Sequence, residues 1–397
     1  RRDRGDGGID QRSDNSWRLR YRLKGRRFSQ TFHGTLSEAR KELRRLLKSG
    51  DDGTHVAPDK ITLGQWVEQW IASGAPGRRQ RRVGRRSLKR YGELLRGHVV
   101  PTLGARPLQQ IQATEIDALY VKLGDKLAPR TAHHVHTVLG ACLTTAVRKG
   151  LLAASPLERA EKIPSPGESD HGMALDGDQL RTLVEGFKGS VLFPIVAVAA
   201  FTGARRSEIL ALRWSDVDFE KKTLRIERAV EQIHGQPLAL KEPKTARGRR
   251  TITIDDDLIT MLRAEREKPL RLLAGVPDGT QVALIVQLPD DALMFPNPPA
   301  PGEDFSFTKL RSPDSTTKEF ARRARRLFPG LRLHDLRGTH ETLLLDAGVP
   351  VHVVAARCGH DPAVLLRSYA KRTKKADTSA AAVISALAKG VLGENTR

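Results

Sequence analysis

Cysteine is scarce: the 397 residues hold 2, Cys142 and Cys358, far apart and without a CxxC partner. Neither a disulfide framework nor a zinc site is indicated, and a reducing cytoplasm fits best. Long apolar runs are missing as well. Nothing approaches the roughly 20 residues of a spanning helix, and no signal-peptide pattern opens the sequence, so no membrane partner is expected. No repeat period or low-complexity array appears. Acidic residues are outnumbered, 46 Asp+Glu against 68 Lys+Arg, for a formal net charge of +22. Such an excess attracts polyanions, and neutralised phosphates release condensed counterions, which makes nucleic acid the first partner to consider. The length suggests two or three domains with room for a real core.

From Ser16 to Phe32 apolar and cationic residues alternate, with Trp17, Leu19, Tyr21 and Leu23 on one side and Arg18, Arg20, Arg22 and Lys24 on the other. Period two makes this a half-buried strand with a cationic outer face, and Gly25 can turn it into a second strand carrying Phe28 and Phe32. Thr35-Leu36-Ser37-Glu38 has capping-box spacing ahead of a helix striped by Leu36, Ala39, Leu43 and Leu47. A solvated basic hairpin and a DNA-reading face both fit this module. Asp51 to Asp59 reads as a linker. Beyond it, Leu63, Trp66, Val67, Trp70 and Ile71 mark a helix. A run without acid follows, holding Arg78, Arg79, Arg81, Arg82, Arg85 and Arg86, which must be solvated or paired with phosphate. Further helices are expected up to His98-Val99-Val100-Pro101-Thr102-Leu103-Gly104, over Ala113 to Leu123 and over Pro129 to Lys149. His133, His134 and His136 lack a Cys or carboxylate at ligand spacing, so no metal site is expected. Ile163 to Asp170 is a second linker, and the largest unit, about Met173 to Ala388, reads as mostly helical with a hairpin around Leu224 to Ile254. Its stretch from Arg271 to Ser315 reads as an insertion.

Five short motifs in this unit carry chemistry. They are Thr202-Gly203-Ala204-Arg205-Arg206-Ser207-Glu208, Lys244-Thr245, His334-Asp335-Leu336-Arg337, Gly359-His360 and Tyr369. Breaking a phosphodiester needs an in-line nucleophile, positive charge on the non-bridging oxygens and a proton for the leaving oxygen. Arginine suits the oxygens because its planar fork donates parallel hydrogen bonds and its charge does not titrate away. Arg206 competes with Arg205 for that task. His334 and Arg337, three apart, share one helix face, and Leu343, Leu344 and Leu345 are expected to sink that helix into the core. His340 is expected to be structural and Cys358 to pack. Lys244 lies at a basic hairpin tip where Lys241 and nearby arginines are alternatives. Asp361-Pro362 supplies an N-cap and first-turn proline for the helix bearing Tyr369.

In their order, these motifs resemble the catalytic set of the tyrosine recombinases, the phage-integrase family. The resemblance implies catalytic roles for Arg205, Lys244, His334, Arg337, His360 and Tyr369, with Lys244 protonating the departing 5′ oxygen and Tyr369 forming a 3′-phosphotyrosine. It implies a mainly α fold with small β-sheets in three parts. These are an arm-type DNA-binding domain at 1–55 (three-stranded sheet plus helix), a SAM-like helical core-binding domain at 60–160, and a mixed α+β catalytic domain at 171–397. No cofactor is expected. Double-stranded attachment-site DNA, a homotetramer at synapsis, an excision directionality factor and a host DNA-bending protein are the partners implied, in the bacterial cytoplasm at the nucleoid. A type IB topoisomerase and a non-catalytic DNA-binding regulator stand as alternatives. A stripe of Val383, Leu387 and Val391 beside Ile384 marks a terminal helix that docks on a neighbour or on its own core.

Overall fold

The computed structural model describes residues 7–23, 26–51, 59–77, 82–167, 172–243, 246–277 and 286–372. The chain divides into two compact units, Arg1–Ser169 and Asp170–Arg397. Lys24, Arg78, Arg79, Arg81, Lys244, Gly25 and the stripe from Val383 to Val391 lie outside the described residues.

In the first unit an antiparallel sheet is formed by β1 (Gly8–Ser13), β2 (Ser16–Leu23) and β3 (Arg26–His33), in that order. The expected alternation holds: Leu19 and Tyr21 are buried, while Arg20 and Arg22 on the other face are exposed and Arg18 is half-buried. Helix α1 (Leu36–Asp51) covers the apolar face with Ala39, Leu43 and Leu46. Its start is the capping box read from the sequence, with Glu38 accepting from the Thr35 N–H at 2.8 Å.

The same unit holds α2 (Leu63–Ala72), α3 (Arg85–His98), the short α4 (Val100–Leu103), α5 (Ala113–Lys126) and α6 (Pro129–Arg148). Trp66 and Trp70 project from α2 into a core with Leu94, Leu95, Leu119 and Leu139. Each such side chain, fully buried, stabilises the fold by about 1.5–3 kcal/mol. The histidines of α6 contact neighbouring groups: His136 bonds the Tyr120 hydroxyl at 2.8 Å and His133 the Pro164 carbonyl at 2.8 Å.

The second unit contains α7 (Gly177–Gly186), α8 (Phe193–Thr202), α9 (Arg206–Ile209), β4 (Val217–Asp218), β5 (Thr223–Ile226), β6 (Ala229–Glu231), β7 (Ala239–Lys241), β8 (Arg250–Thr253), α10 (Asp256–Ala274), α11 (Pro313–Ala324), α12 (Asp335–Asp346), α13 (Val351–Cys358) and α14 (Pro362–Arg372). Strands pair antiparallel as β4-β5-β8 and β6-β7. Helix α8 is apolar around its circumference and its residues Pro194 to Ala200 are buried, so it is the axis on which the unit packs.

Two expectations need correction. Leu343, Leu344 and Leu345 are only half-buried, whereas the first turns of α12, from Asp335 to Thr342, are buried. The helix is anchored by its polar start, and Leu344 and Leu345 pack on a small cluster with Val354, Ala355 and Leu365. The stretch from Arg271 to Ser315 is also not wholly an insertion. Its first residues finish α10, and Ala292 to Phe295 lie in the core, with Trp214 N–H donating to Ala292 O at 3.0 Å and Met294 N–H to Leu212 O at 2.9 Å. A short apolar run, Ala292-Leu293-Met294-Phe295, pulls this part of the loop inward.

Candidate active site

Two helix ends build the site. Helices α8 and α13 each stop at a left-handed glycine, Gly203 with φ 62° and Gly359 with φ 65°. A Cβ at Gly203 would stand 2.7 Å from His340 Cδ2 and 3.0 Å from Cys358 Sγ, and one at Gly359 would stand 2.9 Å from Arg247 O. Both positions therefore need glycine for conformation and for space. The carbonyls at these ends carry the negative pole of their helices and draw cations.

Arg337 and Arg205 answer that pull. Arg337 donates from Nη1 to Gly203 O at 2.7 Å and from Nη2 to Cys358 O. Arg205 donates from Nη2 to Gly359 O at 3.0 Å and from Nη1 to Glu208 at 2.7 Å. The two guanidiniums differ in access, since Arg337 is 2% exposed while the Arg205 side chain keeps 35% of its surface open. Burial, and then the charge of Arg205, bring the Arg337 guanidinium down to about 10, still fully charged near neutral pH.

Buried carboxylates balance these cations. Glu208 also meets Arg250 at 2.9 Å. Burial alone would raise the Glu208 carboxyl, but Arg250 and Arg205 outweigh it and hold the group below its ordinary range. Glu341 lies 3.1 Å from Arg337 Nε and 2.8 Å from His360 Nε2. His334 stands at the N-cap position of α12 without a side-chain capping bond. Its surface is exposed, and partial desolvation followed by the Arg337 charge lowers its pKa, which favours a neutral imidazole. The rival Arg206 turns to α11, with Nη1 on Pro313 O at 3.0 Å and Thr317 Oγ1 at 2.5 Å. Lys241 is engaged with Glu231 at 2.9 Å.

The structure thus brings together Arg205, His334, Arg337 and His360. Past Lys244, Arg247 bonds Asp361 at 2.6 Å and Arg250 bonds Arg357 O at 2.7 Å, which ties the segment leading into β8 to the turn carrying His360. Strands β7 and β8 pair in different sheets, so this segment is not the tip of a hairpin. Tyr369 is elsewhere. Its hydroxyl donates to Asp346 at 2.7 Å, at the opposite end of α12 from Arg337. Nine residues of helical rise, about 14 Å, separate those two positions along the axis. Asp361 accepts from the Ala363 N–H at 3.0 Å, the N-cap expected for α14.

Several residues at the site went unread in the sequence. Glu341 had a usable signal, a carboxylate four residues after Arg337 on one helix face. Arg250, Arg357 and Asp346 had none, because their partners are distant in sequence. His340 is structural as expected, bonding Ala200 O at 2.9 Å and receiving Arg357 Nε at 3.1 Å.

Known proteins share both sequence pattern and fold. The model of the phage integrase family matches residues 175–376, and that of the phage integrase central domain matches residues 63–162. The chain belongs to the phage integrase family. As a tyrosine recombinase, this integrase is an enzyme of site-specific DNA recombination. An integrase of Streptomyces ambofaciens is 27% identical over 406 residues, covering 98% of each chain. The integrase of Mycobacterium phage FRAT1 is 26% identical over 334 residues, covering 84% of this chain and 90% of its own. Among solved structures, the Tn1549 transposon integrase in complex with transposon right end DNA is 16% identical, with a TM-score of 0.62, covering 83% of this chain and 100% of that one. A lambda integrase dimer bound to a COC′ core site is 14% identical with a TM-score of 0.54, covering 94% and 97%. These likenesses establish the fold.

Among the described residues, no group of His, Cys, Asp and Glu has a metal-binding arrangement, and no helix is long and apolar enough to cross a membrane.

Proposed function

We propose that this integrase cuts and reseals DNA at attachment sites through a 3′-phosphotyrosine on Tyr369. The observation that carries the reading is the convergence of Arg205, Arg337 and His360 on the two glycine-ended helices. Arg205 and Arg337 neutralise the non-bridging oxygens of the scissile phosphate, with His360 beside them. The Tyr369 oxygen attacks phosphorus, its proton passes to His334, and the bond from phosphorus to the 5′ oxygen breaks as Lys244 protonates that oxygen. The covalent link conserves the phosphodiester energy for resealing by a 5′ hydroxyl. Tyr369 must first leave Asp346, so movement of α14 accompanies assembly on DNA.

In the same reading, 1–55 binds arm-type sites, 60–160 grips the core site and 171–397 performs the chemistry. Arg18, Arg20, Arg22 and Lys24 face one DNA segment, and the arginines from Arg78 to Arg86 face another. The start of α3 supports this: Arg85 and Arg86 open it with no acid in its first turn and no side-chain cap, a placement that a phosphate would stabilise. A homotetramer at synapsis, a directionality factor, a DNA-bending protein and a nucleoid location complete the proposal. A structure of lambda integrase shows a tetramer bound to a Holliday junction.

The test is denaturing-gel trapping on nicked DNA carrying the attachment site. Wild type is expected to form a covalent adduct and Tyr369→Phe none while binding the same DNA. Adduct formation by Tyr369→Phe, or by neither protein on a verified site, would refute the assignment.

A further inference from the structure

Glu341 stands one turn after Arg337 on α12 and is 3% exposed. Its Oε1 lies 2.8 Å from His360 Nε2 and 3.1 Å from Arg337 Nε, and those two nitrogens are 3.0 Å apart. Three polar atoms so close restrict where the protons sit. Arg337 Nε–H is directed at His360 Nε2 at 3.0 Å, and a lone pair on that nitrogen would also face a carboxylate oxygen at 2.8 Å, a repulsive contact in a buried place. With a proton on Nε2 the imidazole presents its N–H side to Glu341, and a small turn of the guanidinium would direct Nε–H, 3.1 Å away, to the same oxygen, so the repulsion disappears. The carboxylate therefore selects one state of the ring, and Nδ1 is the nitrogen left for other partners.

A buried carboxylate is costly unless charge and hydrogen bonds compensate it, and here Arg337 supplies the charge. Glu208 stands in a similar way towards Arg205 and Arg250. Glu341 differs because it also reaches a histidine.

We propose that Glu341 is a positioning residue that fixes the orientation and proton placement of His360 beside Arg337. This rests on the catalytic reading of Arg337 and His360 given above. Glu341 acts through His360 and does not itself meet the DNA.

The experiment measures single-turnover adduct formation and equilibrium binding on the same attachment-site DNA, for full-length wild type, Glu341→Gln, Glu341→Asp, His360→Ala and the Glu341→Gln/His360→Ala pair. Glu341→Gln keeps the shape without the charge. It is expected to bind within about twofold of wild type and to cleave ~10–100-fold more slowly, the loss that follows a small misplacement of a reacting group. Glu341→Asp keeps the charge with a shorter reach and should fall between the two. In the His360→Ala background, Glu341→Gln should cost little further, because a residue acting through His360 cannot act once it is gone. Wild-type cleavage by Glu341→Gln, loss of binding in proportion to cleavage, or full additivity in the double variant would each overturn the inference. Should Glu341→Gln not fold, wild-type cleavage by Glu341→Asp would overturn it as well. If wild type itself forms no adduct, the functional reading fails instead, and the two failures are distinct.

Discussion

Arg337 and Tyr369 lie on helices of one unit and are held in opposite ways. Arg337 is 2% exposed and bonds two helix-end carbonyls and the pair of Glu341 and His360. Tyr369 is half-buried and its hydroxyl bonds the exposed Asp346. The cationic pocket is over-determined by the fold, whereas Tyr369, the proposed nucleophile, bonds Asp346 at the far end of α12. Charge stabilisation pre-organised in this way needs no rearrangement at the moment of reaction, and under the proposed function cleavage is gated by delivery of the tyrosine.

The largest effect that sharpens this contrast comes from Arg337→Ala. It would leave the carbonyls of Gly203 and Cys358 and the Glu341 carboxylate without their cation. We expect a loss of about 3–5 kcal/mol in stability by denaturant melts, together with loss of adduct formation. Tyr369→Phe should abolish the adduct equally but move stability by less than about 1 kcal/mol. Similar melts for the two variants would break the contrast.

Gly359→Ala is expected to cost on the order of 1–3 kcal/mol by strain at a positive φ and to slow cleavage, since the Arg247 carbonyl must shift. Melts read with the trapping assay check both parts. Arg205→Lys should slow cleavage by on the order of 100-fold in single-turnover assays, by loss of the planar fork, with stability within about 1 kcal/mol because the side chain is partly open.

His340 gives a smaller, pH-dependent signal. Burial, and then the Arg357 charge, bring its pKa from the ordinary 6.5 to about 4, so the unfolded chain takes up the proton more readily. Its stabilising contribution is complete above about pH 6.5 and is lost as pH falls towards about 4, by linkage on the order of 3 kcal/mol. His334 shifts in the same direction. Melts of wild type and His340→Asn across that window should converge at low pH. The smallest effect is expected from Asp346→Ala, which removes an exposed hydrogen-bond partner of Tyr369. Stability should change by less than about 1 kcal/mol, and adduct formation should be unchanged or modestly faster. A large fall in cleavage would mean that Asp346 serves the reaction.

The legible parts of the sequence are those governed by local rules. The alternation from Trp17 to Leu23, the box at Thr35 and Glu38, the stripe from Leu63 to Ile71 and the Asp361 cap each depend on neighbours a few residues away. Spacing from Thr202-Gly203, by the family resemblance, points to Arg205 over Arg206, and in the structure Arg206 bonds α11. What could not be read depends on distant pairing. That Gly203 offers its carbonyl to Arg337 and Gly359 its carbonyl to Arg205, or that Ala292 to Phe295 returns to the core, follows only from tertiary packing. The leucines of α12 mislead because an apolar run suggests the anchor, when the polar start of the helix is the buried part.

The most direct measurement is a structure of Tyr369→Phe integrase bound to its uncleaved core-site DNA. We expect the substituted ring at position 369 to have left Asp346 and to lie about 3–4 Å from the scissile phosphate, with Arg205 and Arg337 on its oxygens and the Gly203 and Cys358 contacts of Arg337 retained. A ring still beside Asp346 while another residue approaches the phosphate, or a pocket whose arginines have let go of both helix ends, would contradict the account.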